Sequence, residues 1–300
     1  MSLEWNEGAR PSLTALITSF NEKSRIAACI ESVFWCDRIL LVDSYSTDGT
    51  LEIARGYPKV ETLQHEYYGG AAQKNWALQH VSGDWVLILD SDEVCPPALR
   101  DEIQALLIEG PRHRAYQMRR RVYFLGERIR FSGWQHDQVA RLFARGSARY
   151  ADRRVHAQLL TDGRAPVLRS HLDHFMVDSL AEFVERITTY SRWGAAQAYR
   201  EGRRVNVLDL LTRPTYRFLR TYVLQLGFLD GVRGLLFTLI QAAGSFHKTA
   251  TLLGWQMNEA RGLPPADLPA FEDGFEKTVA RPELDRGDAA PLGTGQRAPS

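Results

Sequence analysis

"GDWVLILDSDE" (83–93) carries an unbroken apolar run straight into three acids, Asp90, Asp92 and Glu93. A short apolar run bounded by turn residues and polar chain is the mark of a buried strand. Three like charges at the end of such a strand repel one another unless something cationic sits among them. The stretch therefore predicts a central strand and a charged rim where it ends.

The pattern outward from this strand is periodic. "LTALIT" (13–18) reads as a buried strand, and Ile26, Ile30, Val33 and Phe34 then recur at helical spacing, with Asn21 placed to cap. "RILLVD" (38–43) is a second strand, "STDGTLEIARGY" a turn and short helix, and "KVETLQ" a third strand. "GGAAQKNWALQHV" (69–81) is a helix led by glycine, and "DWVLILD" closes the series. Strands alternating with crossover helices predict an α/β fold whose first half is Rossmann-like and mostly parallel. Crossover connections bring the carboxyl ends of such strands to one edge, so Thr18, Asp43 and Asp90 share the rim where ligands bind. No GxGxxG follows the first strand, which excludes the dinucleotide fingerprint.

A chain of 300 residues with 44% hydrophobic content can bury a full core. Its 37 basic and 36 acidic residues nearly cancel, so no whole-molecule field argues for nucleic acid as a partner. Cys29, Cys36 and Cys95 form no CxxC pair and read as small buried hydrophobes in a reducing compartment. "MSLEWNEGARP" holds acids and no apolar core of signal-peptide length, so export is not expected. Asp230 and Arg233 interrupt the best candidate for a membrane span, which needs about 18 uncharged residues. The expected location is cytoplasmic.

From 112 the chain turns rich in arginine and aromatics, read as strands and long loops that cover or extend the first half. Helices return at "LAEFVERITTYSRWGAAQAYREG", where Phe183, Ile187, Tyr190 and Ala195 share a face, and 205–260 is helical, aromatic and basic. The expected organisation is a binding and catalytic domain over 10–178, a helical extension over 179–262, and a disordered tail over 263–300.

Asp90 and Asp92 stand at alternate positions, so in extended chain both carboxylates face one ligand. A hard divalent ion, Mn2+ or Mg2+, takes such oxygens and completes its shell with substrate phosphate. The plainer reading is an acidic turn ahead of a helix beginning near Pro96. In "LLVDSYSTDGT", Ser46, Thr47, Asp48 and Gly49 suit the polar edges of a base or ribose, or form an ordinary capped turn. Arg119, Arg120, Arg121, Arg128 and Arg130 suit an anionic acceptor or a solvated strand face. Arg213, Arg217 and Arg220 lie three to four residues apart among aromatics. That spacing fits a helix in the headgroup plane of a membrane, or a core-packed helical pair.

Taken in order, "LTALITSFNE", "VDSYSTDGT", "GGAAQKN" and "LILDSDE" resemble glycosyltransferase family 2, enzymes of the GT-A fold that use nucleotide sugars. "WQHDQVARLFARG", "RVHAQL" and "LDHF" look like its subgroup of bacterial lipopolysaccharide core glucosyltransferases. The resemblance implies that Thr18 and Asp43 hold uracil and ribose, with Asn21, Glu22 and Ser44 on the same nucleotide-sugar rim. It implies that Lys74 contacts the nucleotide, Asp92 binds the metal, and Asp90 sits near the ribose or a metal-bound water. His156 and His174 align with histidines of the subgroup and are candidates for the metal or diphosphate. Many members carry a second acid where this chain has Ser44, and "VHE" becomes "VHA" at Ala157.

The family inverts, so an acceptor hydroxyl attacks opposite the departing diphosphate and needs a carboxylate to take its proton. Asp137 in "SGWQHDQ" is the expected base, with Glu93 as substitute. The implied partners are a nucleotide-diphosphate sugar and a glycan or lipid-linked acceptor, with peripheral contact at the cytoplasmic membrane. The alternatives are an inert nucleotide- or glycan-binding relative and a sugar nucleotidyltransferase. The latter needs a glycine- and lysine-rich phosphate loop that "TSFNEKSR" lacks.

Overall fold

A computed structural model of the chain describes residues 10–151, 159–161, 163–265 and 268–269. The first half alternates as β1 (Leu13–Ser19), α1 (Ile26–Ser32), β2 (Arg38–Asp43), α2 (Thr50–Arg55), β3 (Val60–Gln64), α3 (Gly70–Leu78) and β4 (Trp85–Asp90). Then come β5 (Glu93–Val94), α4 (Pro97–Glu109), β6 (Ala115–Phe124), β7 (Glu127–Ile129), β8 (Gln138–Ala144), β9 (Ala148–Tyr150), β10 (Leu159–Thr161) and β11 (Val167–Val177). Three α-helices follow, α5 (Leu180–Arg200), α6 (Asp209–Phe218) and α7 (Gly231–Glu259), with a π-helical turn (Leu219–Leu224) and a 3-10 turn (Gly227–Asp230) between the last two.

One 9-stranded sheet runs β3-β2-β1-β4-β8-β6-β11-β5, with β7 on β6; β9 and β10 pair separately. The β1–β2, β2–β3 and β1–β4 ladders are parallel, whereas β8 lies antiparallel to both β4 and β6. β1 and β4 are central, and their alternate residues feed two cores. Leu87 and Leu89 pack with Ile30 of α1 and Leu99 and Ile103 of α4. Val86 and Ile88 pack on the other face with Ala71 and Ala77 of α3 and Phe143. Each such leucine or isoleucine contributes roughly 2 kcal/mol by leaving water. Both faces are covered, which is why these strands read as unbroken apolar runs rather than alternating ones.

The arginine-rich stretch extends the sheet instead of capping it, through β6, β7 and β8. A third core joins the helical segment to this extension: Phe183 of α5 stacks on Phe237 of α7 at 5.5 Å, and both meet Phe124 of β6 edge-on. Ser179 caps α5 by accepting from the Glu182 amide at 3.1 Å. Cys29, Cys36 and Cys95 are free and buried.

Three local expectations are corrected. Asn21 does not cap α1; it has φ 52° and its Oδ1 accepts from the Thr47 amide at 2.8 Å, tying two rim loops together. Phe34 is 41% exposed because α1 ends at Ser32 and helical spacing no longer applies. Tyr190 is half exposed and does not share the buried face of Phe183 and Ala195. No single helix among the described residues is long and apolar enough to cross a membrane, although Asp209–Leu224 and Gly227–Glu259 form a pair bent by 71° that passes the test together.

Candidate active site at the sheet rim

β4 ends at Asp90, and residues 91–92 form a turn before β5. This turn separates the acids that extended chain would have aligned. Asp90 faces inward across the rim to Lys74 Nζ at 2.5 Å and to the Arg141 guanidinium. Burial works against its charge, but Arg141 and Lys74 outweigh burial and hold the Asp90 carboxyl well below the usual carboxylate range. Glu93 is wholly buried, with Arg141 Nη2 at 2.6 Å and Arg120 Nη1 at 3.1 Å on one oxygen and the Asp90 amide at 3.0 Å on the other. Its oxygens are enclosed by these donors.

Asp92 points elsewhere. Antiparallel pairing of β5 with β11 sets His174 opposite Glu93, and the Phe175 amide donates to the Asp92 carbonyl at 2.8 Å. His174 Nε2 consequently lies 3.3 Å from Asp92 Oδ2, and Arg186 Nη1 of α5 lies 3.6 Å from the same oxygen. Burial raises the Asp92 carboxyl, yet His174 prevails and leaves it below its ordinary value. Burial likewise lowers the His174 imidazole, and Asp92 more than restores it, leaving it above its ordinary value. His174 Nδ1 is buried without a hydrogen-bond partner.

The side of the rim where the sequence places the nucleotide is a braced set of loops. Thr18, one residue before the end of β1, lies between Val42 and Asp90 in the two parallel registers. Asp43 is wholly buried and accepts from the Ser46 amide at 2.8 Å, Ser46 Oγ at 2.5 Å and Ser19 Oγ at 3.2 Å, so it holds the loop from beneath. Ser44 is also buried, its hydroxyl taking a bond from Gln73 Nε2 at 3.1 Å. Glu22 binds Arg25 at 3.0 Å, and burial together with the Asp92 charge pushes its carboxyl up to about 7.

Asp137 follows a short 3-10 turn (Trp134–His136), and Arg120 Nε grips its Oδ2 at 2.6 Å. Since Arg120 also holds Glu93, the expected base and the acidic rim belong to one network. His136 is exposed on that turn. His156 lies outside the described residues. The sequence reading missed two members of the site. Arg141 carried a signal, a single charge inside the apolar run "VARLFA" that must find a partner once buried. Arg186 carried none, since only the packing of α5 brings it to the rim.

No group of three or more His, Cys, Asp or Glu that could hold a metal occurs among the described residues. Two protein ligands, Asp92 and His174, nevertheless fit an ion whose remaining positions are filled by substrate phosphate and water.

Residues 14–175 match the family model described as glycosyl transferase family 2. The chain is 29% identical over 251 residues to the lipopolysaccharide core biosynthesis glycosyltransferase LpsC of Rhizobium meliloti (strain 1021), covering 79% of this chain and 93% of that protein. It is 25% identical over 252 residues to an uncharacterised glycosyltransferase of Rickettsia prowazekii (strain Madrid E), covering 80% and 86%. The mannosyltransferase PcManGT from Pyrobaculum calidifontis, solved with GDP-Man and Mn2+, superposes with a TM-score of 0.46 at 18% identity over 82% of this chain and 88% of that one. The mixed α/β sheet with its parallel half, flanking helices and C-terminal helices is the GT-A architecture expected from the motifs. The family match spans that parallel half, the acidic rim and β11 as far as His174 and Phe175: the chain belongs to glycosyltransferase family 2.

Proposed function

We propose that the protein is an inverting, metal-dependent hexosyltransferase that moves a sugar from a UDP-sugar to a cell-envelope glycan or lipid-linked acceptor such as lipopolysaccharide core. It would act at the cytosolic face of the inner membrane. The observation that carries this reading is the Asp92–His174 pair, set at the carboxyl end of a central strand with Arg186 beside it. Similarity to a protein named for lipopolysaccharide core biosynthesis supports the acceptor class.

Asp92 and His174 would hold Mn2+ or Mg2+, which supplies positive charge to the departing diphosphate. Lys74 and Arg186 stand on either side of the acids as further phosphate-binding cations. Thr18, Asn21, Glu22, Asp43 and Ser44 frame the nucleotide end, with Asp43 acting through the loop it braces. Asp137, oriented by Arg120, takes the proton from the acceptor hydroxyl as the new bond forms to the anomeric carbon. Displacement in one step from the face opposite the diphosphate inverts that carbon.

The test is thermal stabilisation of the full chain by UDP with and without Mn2+, together with UDP release from a panel of UDP-sugars. UDP and Mn2+ together should stabilise more than either alone, and Asp92→Asn should abolish the difference. If no nucleoside diphosphate stabilises the protein with metal, the transferase reading fails. Stabilisation without turnover on any donor and acceptor pair would favour an inert binding relative.

A further inference from the structure

The exposed apolar surface concentrates on α6 and the bend after it. Leu208 is 70% exposed, Leu211 69%, Tyr216 63%, Leu224 73%, Leu229 54% and Val232 72%. So many large apolar side chains left open within one short segment of chain mark an interaction surface. The bend is a fixed platform. A Cβ on Gly234 would sit 2.0 Å from the Gly227 carbonyl oxygen, and one on Gly227 would sit 2.8 Å from the Thr221 carbonyl, so backbone packs on backbone.

Charge on this platform is mainly basic, although Arg233 lies 3.8 Å from Glu127. Arg213, Arg217, Arg220 and Arg233 are exposed along it. The acids of the segment are engaged: Asp209 pairs with Arg213 at 2.8 Å, and Asp230 turns inward to the Arg130 amide at 2.8 Å and to Ser132 Oγ and the Phe131 amide at 3.0 Å. Arg217 donates to neutral Gln241, and among the described residues no carboxylate pairs with Arg217 or Arg220. Apposing two copies through this face would set these cations against each other. A layer of lipid phosphates over acyl chains complements both features at once.

We propose that the α6 elbow, residues 207–233, is a membrane-docking surface that seats the protein on an anionic leaflet. Leu208, Leu211, Leu224 and Val232 enter the acyl boundary while Arg217 and Arg220 meet lipid phosphates. The inference rests on the proposed reading for its choice of a lipid-linked acceptor, and one further contact gives it that use. Asp230 holds residues 130–132, and Gln225 accepts from the Ser132 amide at 3.0 Å, directly ahead of the turn that carries Asp137. Docking surface and expected base therefore share one rigid frame.

The test is co-sedimentation of the full chain with vesicles of phosphatidylcholine alone or mixed with phosphatidylglycerol. The wild type should bind the anionic vesicles more tightly, and less so as salt rises. Arg217→Gln with Arg220→Gln should weaken that binding about 30-fold. Leu211→Glu with Leu224→Glu should abolish it, with melting temperature and UDP–Mn2+ stabilisation unchanged. Absence of wild-type binding, or equal binding by wild type and both double variants, overturns the proposal. So does a wild-type dimer that the Leu211→Glu, Leu224→Glu variant loses while neither binds vesicles. Vesicle binding without UDP stabilisation in the wild type sinks the transferase reading and leaves the docking surface standing.

Discussion

Replacing Arg141 with methionine tests the charge arrangement beneath the rim. Its guanidinium is 5% exposed and bridges Glu93, which is fully buried, to Asp90. At 2.6 Å and an effective dielectric of about 20, the Glu93 contact contributes roughly 6 kcal/mol of attraction. Desolvating the guanidinium offsets several kcal/mol of that, so the intact pair is no large net gain. Removal is different, because Asp90, Glu93 and Asp137 would then share only Lys74 and Arg120. One buried carboxylate is left without compensation, which costs about 3–5 kcal/mol.

Urea unfolding followed by tryptophan fluorescence measures this cost. With a slope of about 3 kcal/mol per molar, the midpoint of Arg141→Met should fall by roughly 1 to 2 M at pH 8. The sign with pH is fixed. An uncompensated carboxylate has a raised folded-state pKa, so the variant takes up a proton that the wild type does not, and its deficit shrinks as pH falls toward 5. Adding Glu93→Gln should recover at least half the loss, since the amide keeps an acceptor for the Asp90 N–H and carries no charge. A loss below about 1 kcal/mol, a loss equal at both pH values, or no recovery in the double variant would refute the account.

Three further outcomes follow from the same geometry. Asp92 holds His174 above its ordinary value, and a metal ligand must be deprotonated, so apparent Mn2+ affinity by calorimetry should climb as pH rises through the imidazole's titration. His174→Gln should lower Mn2+ affinity about 10- to 100-fold, and an unchanged affinity with a flat pH profile excludes the pair as a metal site. Glu22, raised from 4.5 to about 7, stabilises the metal-free fold only while protonated; that stability is complete below about pH 4.5 and lost as pH rises through about 7. Glu22→Gln should therefore gain up to about 3 kcal/mol at pH 8 and nothing near pH 4.5, and a greater loss at pH 8 than at pH 4.5 would contradict it. Asp137→Asn should lower kcat about 100- to 10,000-fold with UDP affinity within twofold, and unchanged kcat removes it as the base.

The first half of the fold was legible because its signals are local. β1, β2 and β4 are continuous apolar runs, each closed by a polar residue at the rim, and helical spacing resumes after each turn. The second half was legible only as strands, since the order β4-β8-β6-β11 depends on pairings far apart in sequence. The same division runs through the site. Asp90 and Asp92 were found from the strand end, but their divergence came from the turn at 91–92, which composition does not announce. His174 meets Asp92 because a two-residue strand adds antiparallel to β11, a pairing too short to leave any pattern. Arg25, with Asp178 at 2.7 Å and Glu182 at 3.0 Å, reaches the rim network from a partnership more than 150 residues distant.

The question posed by three acids at one strand end has a different answer for each acid. Asp90 and Glu93 are matched by Lys74, Arg120 and Arg141, cations that keep their charge throughout the working pH range. Those pairs leave two of the acids without any need for an outside ion. Asp92 is matched by an imidazole, the one partner type whose charge can change near neutrality, and by an arginine 3.6 Å away that also binds Glu182 at 3.1 Å. Neither partner of Asp92 is a fixed charge held for it alone, whereas extracting Arg141 would leave the wholly buried Glu93 with Arg120 as its one remaining cation. The cluster is thus built with fixed cations under two carboxylates and replaceable ones over the third. On the proposed reading, Asp92 is the carboxylate that would take a divalent ion, at the place where a nucleotide diphosphate would lie between Lys74 and Arg186.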